Sequence, residues 1–331
     1  MQLEELPLRI SSETLSRIKQ LANKIYLLRI GQTSHLLING DSRSILKVFP
    51  DDSIDIILTD PPYNRELNYG SYFKDKMSKK QYYLWCFGWL REFARILAES
   101  GSLYLISYPE ISAYFLIFLD NVAKLKFRRW LVWHYPTNIG HSPRNFTRSH
   151  RAILFYSKTD NYIFNREEIT QHYKNPEVKK IKDRLQKGVC GRAAYDVLRF
   201  TDIIEVNEYI DVDDVLSFLD YIEKSEGLID VLDFNLLKNV SKDRVGSKRE
   251  GDVYYHPCQL PAGLIRVLVK VSTNEGMCVL DPFAGTFSVS AVAARIGRNS
   301  IGIEINPYFI DLGLERLRKV GGADLRISVI R

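Results

Sequence analysis

The run Ile54-Asp55-Ile56-Ile57-Leu58-Thr59 stops at Asp60-Pro61-Pro62-Tyr63, and this junction constrains the fold more than any other stretch. A β-branched apolar run reads as a strand covered on both faces, and two consecutive prolines prevent it from continuing. A buried parallel strand ending in a rigid loop is therefore predicted. The same pattern returns later: a strand over Met277–Leu280 ends at Asp281, and a strand over Ser300–Ile303 ends at Glu304. Helical periodicity covers Pro261–Val271, Ser288–Ile296 and Pro307–Lys319 around them. Earlier, Leu36–Ile38 ends at Gly40-Asp41, and a long helix over Lys79–Leu97 leads into a strand over Leu103–Ser107. Strands over Trp130–His134 and Ala152–Tyr156 flank a loop rich in Pro, Gly and Asn. Alternating strand and helix predict an α/β fold with a parallel sheet.

From about Asn165 to Arg249 this rhythm gives way to blocks of charge. The expected organisation is an extension over 1–23 with a short helix capped near Ser11 or Ser12, a first half of the domain over 24–164, an insertion over 165–250, and a second half over 251–331. A length of 331 residues suits one large domain with an insertion. No apolar run approaches the ~20 residues needed to span a bilayer, and no secretion signal is seen, so a cytoplasmic protein is expected. The net charge of +6 is unevenly spread. Seven basic residues and no acid lie between Lys124 and Arg151, a second basic stretch runs from Lys174 to Arg199, and eleven acids lie between Asp202 and Asp233. The basic stretches suit a polyanion, although any one of them also suits a solvated face. Cys86, Cys190, Cys258 and Cys278 form no CxxC pair and no zinc-like spacing with histidine, so no metal is expected.

Two motifs carry chemistry. In Asp281-Pro282-Phe283-Ala284-Gly285-Thr286 a glycine turn follows an apolar strand, which lets a ligand approach backbone at the strand's C-terminal edge. Glu304 closes the next strand, where an α/β fold places the acid that accepts from ribose hydroxyls. A lone glycine turn would be an ordinary strand–turn–helix; the combination with a following strand and acid points to a nucleoside. GxGxxG is absent, which argues against a dinucleotide. The second motif, Asp60-Pro61-Pro62-Tyr63, joins an acid, a stiff carbonyl-rich loop and an aromatic ring. Such a group accepts two hydrogen bonds from an exocyclic amine and stacks on a flat base.

Together these motifs resemble the amino-group DNA methyltransferases dependent on S-adenosylmethionine, and Asn64 extends the match to DPPYN. His256-Pro257-Cys258-Gln259-Leu260-Pro261 is similar to the family's HPxQKP segment. The order of the three motifs resembles the beta arrangement, over about 34–164 and 251–318. The resemblance implies a Rossmann-like methyltransferase sheet, circularly permuted, with the target-recognition region inserted at 165–250. It assigns Asp60, Pro61, Pro62 and Tyr63 to catalysis, and His256, Gln259, Asp281, Pro282, Phe283, Ala284, Gly285, Thr286, Glu304 and Asn306 to the cofactor. Asp41 is either a helix cap or an adenine contact. Two positions depart from the family: Leu260 replaces its lysine, and Phe287 replaces the last glycine of FxGxG, either narrowing the cofactor site or turning into the core. Cys258 resembles the nucleophile of cytosine-C5 enzymes only locally, since methylation of an amine needs no covalent intermediate.

The expected function is transfer of a methyl group from S-adenosylmethionine to N6 of a flipped adenine in double-stranded DNA, by the modification enzyme of a restriction-modification system. An N4-cytosine enzyme is the alternative, and a catalytically weakened DNA-binding relative is the alternative of another class. Arg144, Arg148 and Arg151 are the expected DNA contacts. A cognate restriction endonuclease is an expected partner, with the protein a monomer or homodimer and no membrane involved.

Overall fold

A computed structural model describes residues 8, 10–65, 76–134, 144–146, 148–171, 173, 175–188, 191–198 and 259–331. His256, Cys190, Cys258, the acidic stretch 202–233 and most of the expected insertion lie outside them. Ten strands form one sheet: β1 (Lys24–Ile30), β2 (Thr33–Asn39), β3 (Ile54–Thr59), β4 (Leu97–Ser107), β5 (Lys126–His134), β6 (His150–Ser157), β9 (Val197–Leu198), β10 (Cys278–Asp281), β11 (Asn299–Glu304) and β12 (Leu325–Val329). A separate two-stranded ribbon pairs β7 (Thr170–Gln171) with β8 (Arg192–Ala193). The sheet order is β12-β1-β2-β11-β10-β3-β4-β6-β5-β9. The five strands from β2 to β4 run parallel, while β1, β12, β6 and β5 join through antiparallel pairings.

Helices cover both faces, which is why the middles of the central strands are mostly apolar. On one face α1 (Ser12–Leu21), α3 (Lys79–Ile96) and α4 (Pro109–Phe118) bury Leu15, Ile18, Trp89, Phe93 and Phe115 against Ile57, Leu103 and Leu105. On the other, α6 (Ala262–Ser272) and α7 (Ser288–Arg295) bury Leu264, Leu268, Val289 and Val292 against Ile56, Leu58 and Ile106. The helix α8 (Pro307–Gly321) lies next to α7 and packs Ile310 and Leu314 over Leu28 and Leu37. Short α2 (Ser42–Ile45) follows β2, and α5 (Lys179–Gln186) precedes β8. Asp55 is the one acid inside β3; it is buried, and its Oδ2 accepts from the Cys278 amide at 2.9 Å, fixing the start of β10 beside it.

The chain leaves β3 through α3 towards β4, and leaves β10 through α7 towards β11, in the opposite direction along the sheet. Adjacent strands β10 and β3 therefore mark a switch point, the place where α/β sheets open a crevice at their C-terminal edge.

Candidate active site

Four strand ends meet at that edge. Asp281, at the end of β10, is buried; its Oδ1 accepts from Thr59 Oγ1 at 2.8 Å and from the Phe283 amide at 3.1 Å. Burial raises its pKa to about 7 against the opposing pull of those two donors. Glu304, at the end of β11, accepts from the Gly285 amide at 2.9 Å through Oε2 and from the Asn306 amide at 2.8 Å through Oε1. Burial raises it too to about 7, opposed mainly by those amides, with the charge of Asp281 adding a smaller push upwards. Two backbone donors leave each Glu304 oxygen with acceptor capacity, as a pair of ribose hydroxyls requires. The Asn306 side chain caps α8 by accepting from the Tyr308 amide at 3.0 Å.

The cleft above this edge holds about 640 Å³ of space, part of it open to solvent. Asp41, Ser42, Asp60, Pro62, Trp85, Pro282, Phe283, Ile303 and Glu304 line it. Asp41 caps α2, accepting from the Arg43 amide at 2.9 Å while pairing with the Arg43 guanidinium at 2.7 Å, and it also lines the cleft. Ser42 Oγ donates to the Pro282 carbonyl, tying α2 to the turn. An anchored acid, apolar walls and two aromatic rings match a nucleoside.

The Asp60–Tyr63 loop is braced from below. Tyr82 on α3 donates to the Pro62 carbonyl at 2.9 Å. Asn64 closes the loop's base, its amide donating to the Met77 carbonyl at 2.8 Å and its carbonyl accepting from the Met77 amide at 2.6 Å. Tyr63 is only 2% exposed, and Tyr108 covers its ring with centroids 4.7 Å apart at 50°. The expected stacking face is thus occupied by a neighbouring aromatic.

Of the three expected DNA-contacting arginines, two come together. Arg148 and Arg151 lie 4.0 and 3.9 Å from the centre of the Tyr108 ring. Arg144 is exposed and does not join them. Elsewhere in the same basic stretch Arg128 pairs with Asp160 at 2.7 Å, so this part of the stretch is neutralised by the fold itself.

Gln259 and Thr286 meet around a residue that no sequence motif marks. The buried Arg316 of α8 donates to Gln259 Oε1 at 2.6 Å, Thr286 Oγ1 at 3.3 Å and Ser288 Oγ at 2.7 Å. A cation therefore stands beside Gln259 although Leu260 offers none. Ala284 is buried in the core beside Phe287. Phe287 itself takes a left-handed backbone, φ 60°, and points its fully buried ring away from the cleft between Gly302 and Gly313. Of the two readings of this departure, the core one describes the fold. Trp85, Tyr108 and Arg316 were missed because nothing local distinguishes them from packing or surface residues. Trp133 and Tyr156 are buried in the core, and Tyr135 lies outside the described residues.

A Rossmann-like sheet that gathers a buried acid at a strand end and an Asp-Pro-Pro-Tyr loop on one cleft defines the amino-group DNA methyltransferases. The DNA methylase family model for N6 and N4 enzymes matches residues 54–315, and the chain belongs to that family. The chain is similar to the DNA adenine methyltransferase YhdJ of Escherichia coli (strain K12), 28% identical over 290 residues, covering 87% of this chain and 84% of that protein. It is also similar to the type II methyltransferase M.HpaI of Haemophilus parainfluenzae, 26% identical over 282 residues, covering 85% and 73%. Among solved structures, the PvuII DNA methyltransferase (cytosine-N4-specific) shares the fold with a TM-score of 0.54 at 16% identity, covering 87% of this chain and 90% of that one. No metal-holding group of three His, Cys, Asp or Glu occurs among the described residues, and no helix there is long and apolar enough to cross a membrane.

Proposed function

We propose that this protein methylates N6 of adenine at a specific site in double-stranded DNA, as the modification enzyme of a restriction-modification system. The observation that carries the reading is that Asp60 and Glu304 line one cleft, so an amine held by the first faces a nucleoside held by the second. Bound S-adenosylmethionine supplies a methyl group on a sulfonium, already a good leaving group, so the protein's contribution is positioning. The target base leaves the duplex to reach the cleft. Asp60 and the Pro61 carbonyl accept from its amine, drawing the nitrogen lone pair out of ring conjugation towards the methyl. The Pro62 carbonyl already accepts from Tyr82, which supports Pro61 as the proline acceptor. Stacking of the base on Tyr63 requires Tyr108 to swing aside.

Glu304, Asp281 and the turn Pro282–Phe283 hold the nucleoside end of the cofactor, with Asp41 at the adenine; Gln259, Thr286 and His256 serve the methionine end. The region 165–250 reads the target sequence. Adenine is supported by the Asp60–Asn64 form of the loop and by the relative named a DNA adenine methyltransferase. Restriction-modification, with a cognate endonuclease as partner, is supported by relatives named type II methyltransferases. Phe287, on which a catalytically weakened relative would rest, packs in the core. Nucleoside analysis of DNA methylated in vitro by the purified protein tests the target atom: N6-methyladenine is expected, and N4-methylcytosine in its place would overturn adenine in favour of cytosine.

A further inference from the structure

Tyr108, at the turn between β4 and α4, collects three guanidinium groups from two other segments. Arg148 and Arg151 at the start of β6 lie 4.0 and 3.9 Å from its ring centre, and Arg65, directly after the Asp60–Asn64 loop, lies 5.1 Å from it. Arg151 also donates to the Tyr108 hydroxyl at 3.0 Å. A single oxygen, Oε1 of Glu110, accepts from Arg65 Nη2 and from Arg148 Nη2, each at 2.6 Å. The carboxylate is about half exposed, as is Arg65. The cluster abuts the catalytic loop, because Tyr63 packs on Tyr108.

One oxygen that accepts a single donor from each of two guanidiniums, with a third cation alongside, is an arrangement an oxyanion of a phosphodiester takes among arginines. We propose that Arg65, Arg148 and Arg151 form the binding site for a DNA backbone phosphate next to the flipped nucleotide, and that Glu110 occupies it as an internal anion until DNA displaces it. This rests on the reading of the protein as an enzyme acting on duplex DNA. Glu110 holds the arginines in place without DNA and weakens their grip on DNA bound elsewhere than in register with the cleft.

The test is binding of the full-length protein to a fluorescent duplex of mixed sequence, followed by anisotropy over a range of salt. Glu110→Gln is expected to tighten binding about five-fold at low salt, as removal of one like charge near a phosphate would. It is expected to steepen the slope of log affinity against log salt by about 0.9, the contribution of one further phosphate contact. The gain should vanish when Arg65→Gln and Arg148→Gln are added. An unchanged affinity and slope in Glu110→Gln, or a gain that survives loss of both arginines, overturns the proposal. Calorimetry with S-adenosylmethionine should give equal affinity for all variants, since none lines the cofactor cleft, and so verifies that each is folded. If the unaltered protein methylates DNA but Glu110→Gln changes nothing, only this inference falls. If it neither binds nor methylates DNA, the functional reading falls with it.

Discussion

A Cβ added at Gly302 would stand 2.5 Å from Phe287 Cε1, and one at Gly313 closer still to the same ring. The two glycines leave room for the phenylalanine at 287, which accepts an uncommon left-handed backbone to use that room. Gly313→Ala is therefore expected to destabilise by roughly 1–3 kcal/mol through overpacking. Combined with Phe287→Gly, it should cost nothing further, because the ring it collides with is gone; a double-mutant cycle from urea unfolding reads the coupling. Asp60→Ala should lower methyl transfer by about 10²–10³, the scale of a lost preorganised contact, while cofactor binding persists. Activity within a few-fold of the unaltered protein would remove Asp60 from catalysis. Glu304 gives a pH dependence. Its folded pKa is raised, so it takes up a proton as pH falls through about 7. A protonated carboxyl accepts from fewer hydroxyls, so calorimetric affinity for S-adenosylmethionine should weaken below that pH, and the dependence should flatten in Glu304→Gln.

The strand β2 carries its own titration. His35 is fully buried between Thr33 Oγ1 and Ser300 Oγ, each 2.9 Å from a ring nitrogen. Burial lowers its pKa from 6.5 to about 3. The folded protein keeps the ring neutral while the unfolded chain protonates it below about 6.5, so stability is full above that value and falls as pH drops towards 3. The loss should be about 1.4 kcal/mol per pH unit in that window. His35→Gln should abolish this part of the acid sensitivity, measured by urea unfolding at neutral and mildly acid pH. The central strands and their helices were legible because burial on both faces writes itself as runs of Ile, Val and Leu, and because β3, β10 and β11 each end at an acid. The outer elements were not. In β12 no residue is fully buried, and α4 begins at Pro109 with an almost wholly apolar sequence that shows no polar face to set its period. Of the site, the residues inside motifs were legible. Tyr108, Glu110, Arg65 and Arg316 act through contacts between distant segments, which leave no mark on local spacing.

For the molecule as a whole, charge is shared between fold and ligand. Arg128 and Arg129 are drawn to Asp160 and Asp196 at 2.7 and 3.9 Å, which leaves fewer cations of the first basic stretch to face DNA than their number in the sequence suggests. Replacing Arg144 and Arg148 together by Gln should reduce the steepness of the salt dependence of DNA binding by up to about 1.8, at about 0.9 per phosphate. An unchanged slope would move the DNA surface to another face. The sheet order also sets a timetable for biosynthesis. Strands β2 and β3 follow one another in the chain, yet β11 and β10 lie between them in the sheet. A nascent polypeptide thus leaves the ribosome with the Asp60–Tyr63 loop already made and a two-strand gap in its centre. Thr59 must wait for Asp281, 222 residues later, before their hydrogen bond can form. Until then two bare strand edges invite pairing with other chains. Modification of DNA accordingly begins only once the late segment has slotted into place, and a chain whose translation aborts early is inert as an enzyme but hazardous as a seed for aggregation.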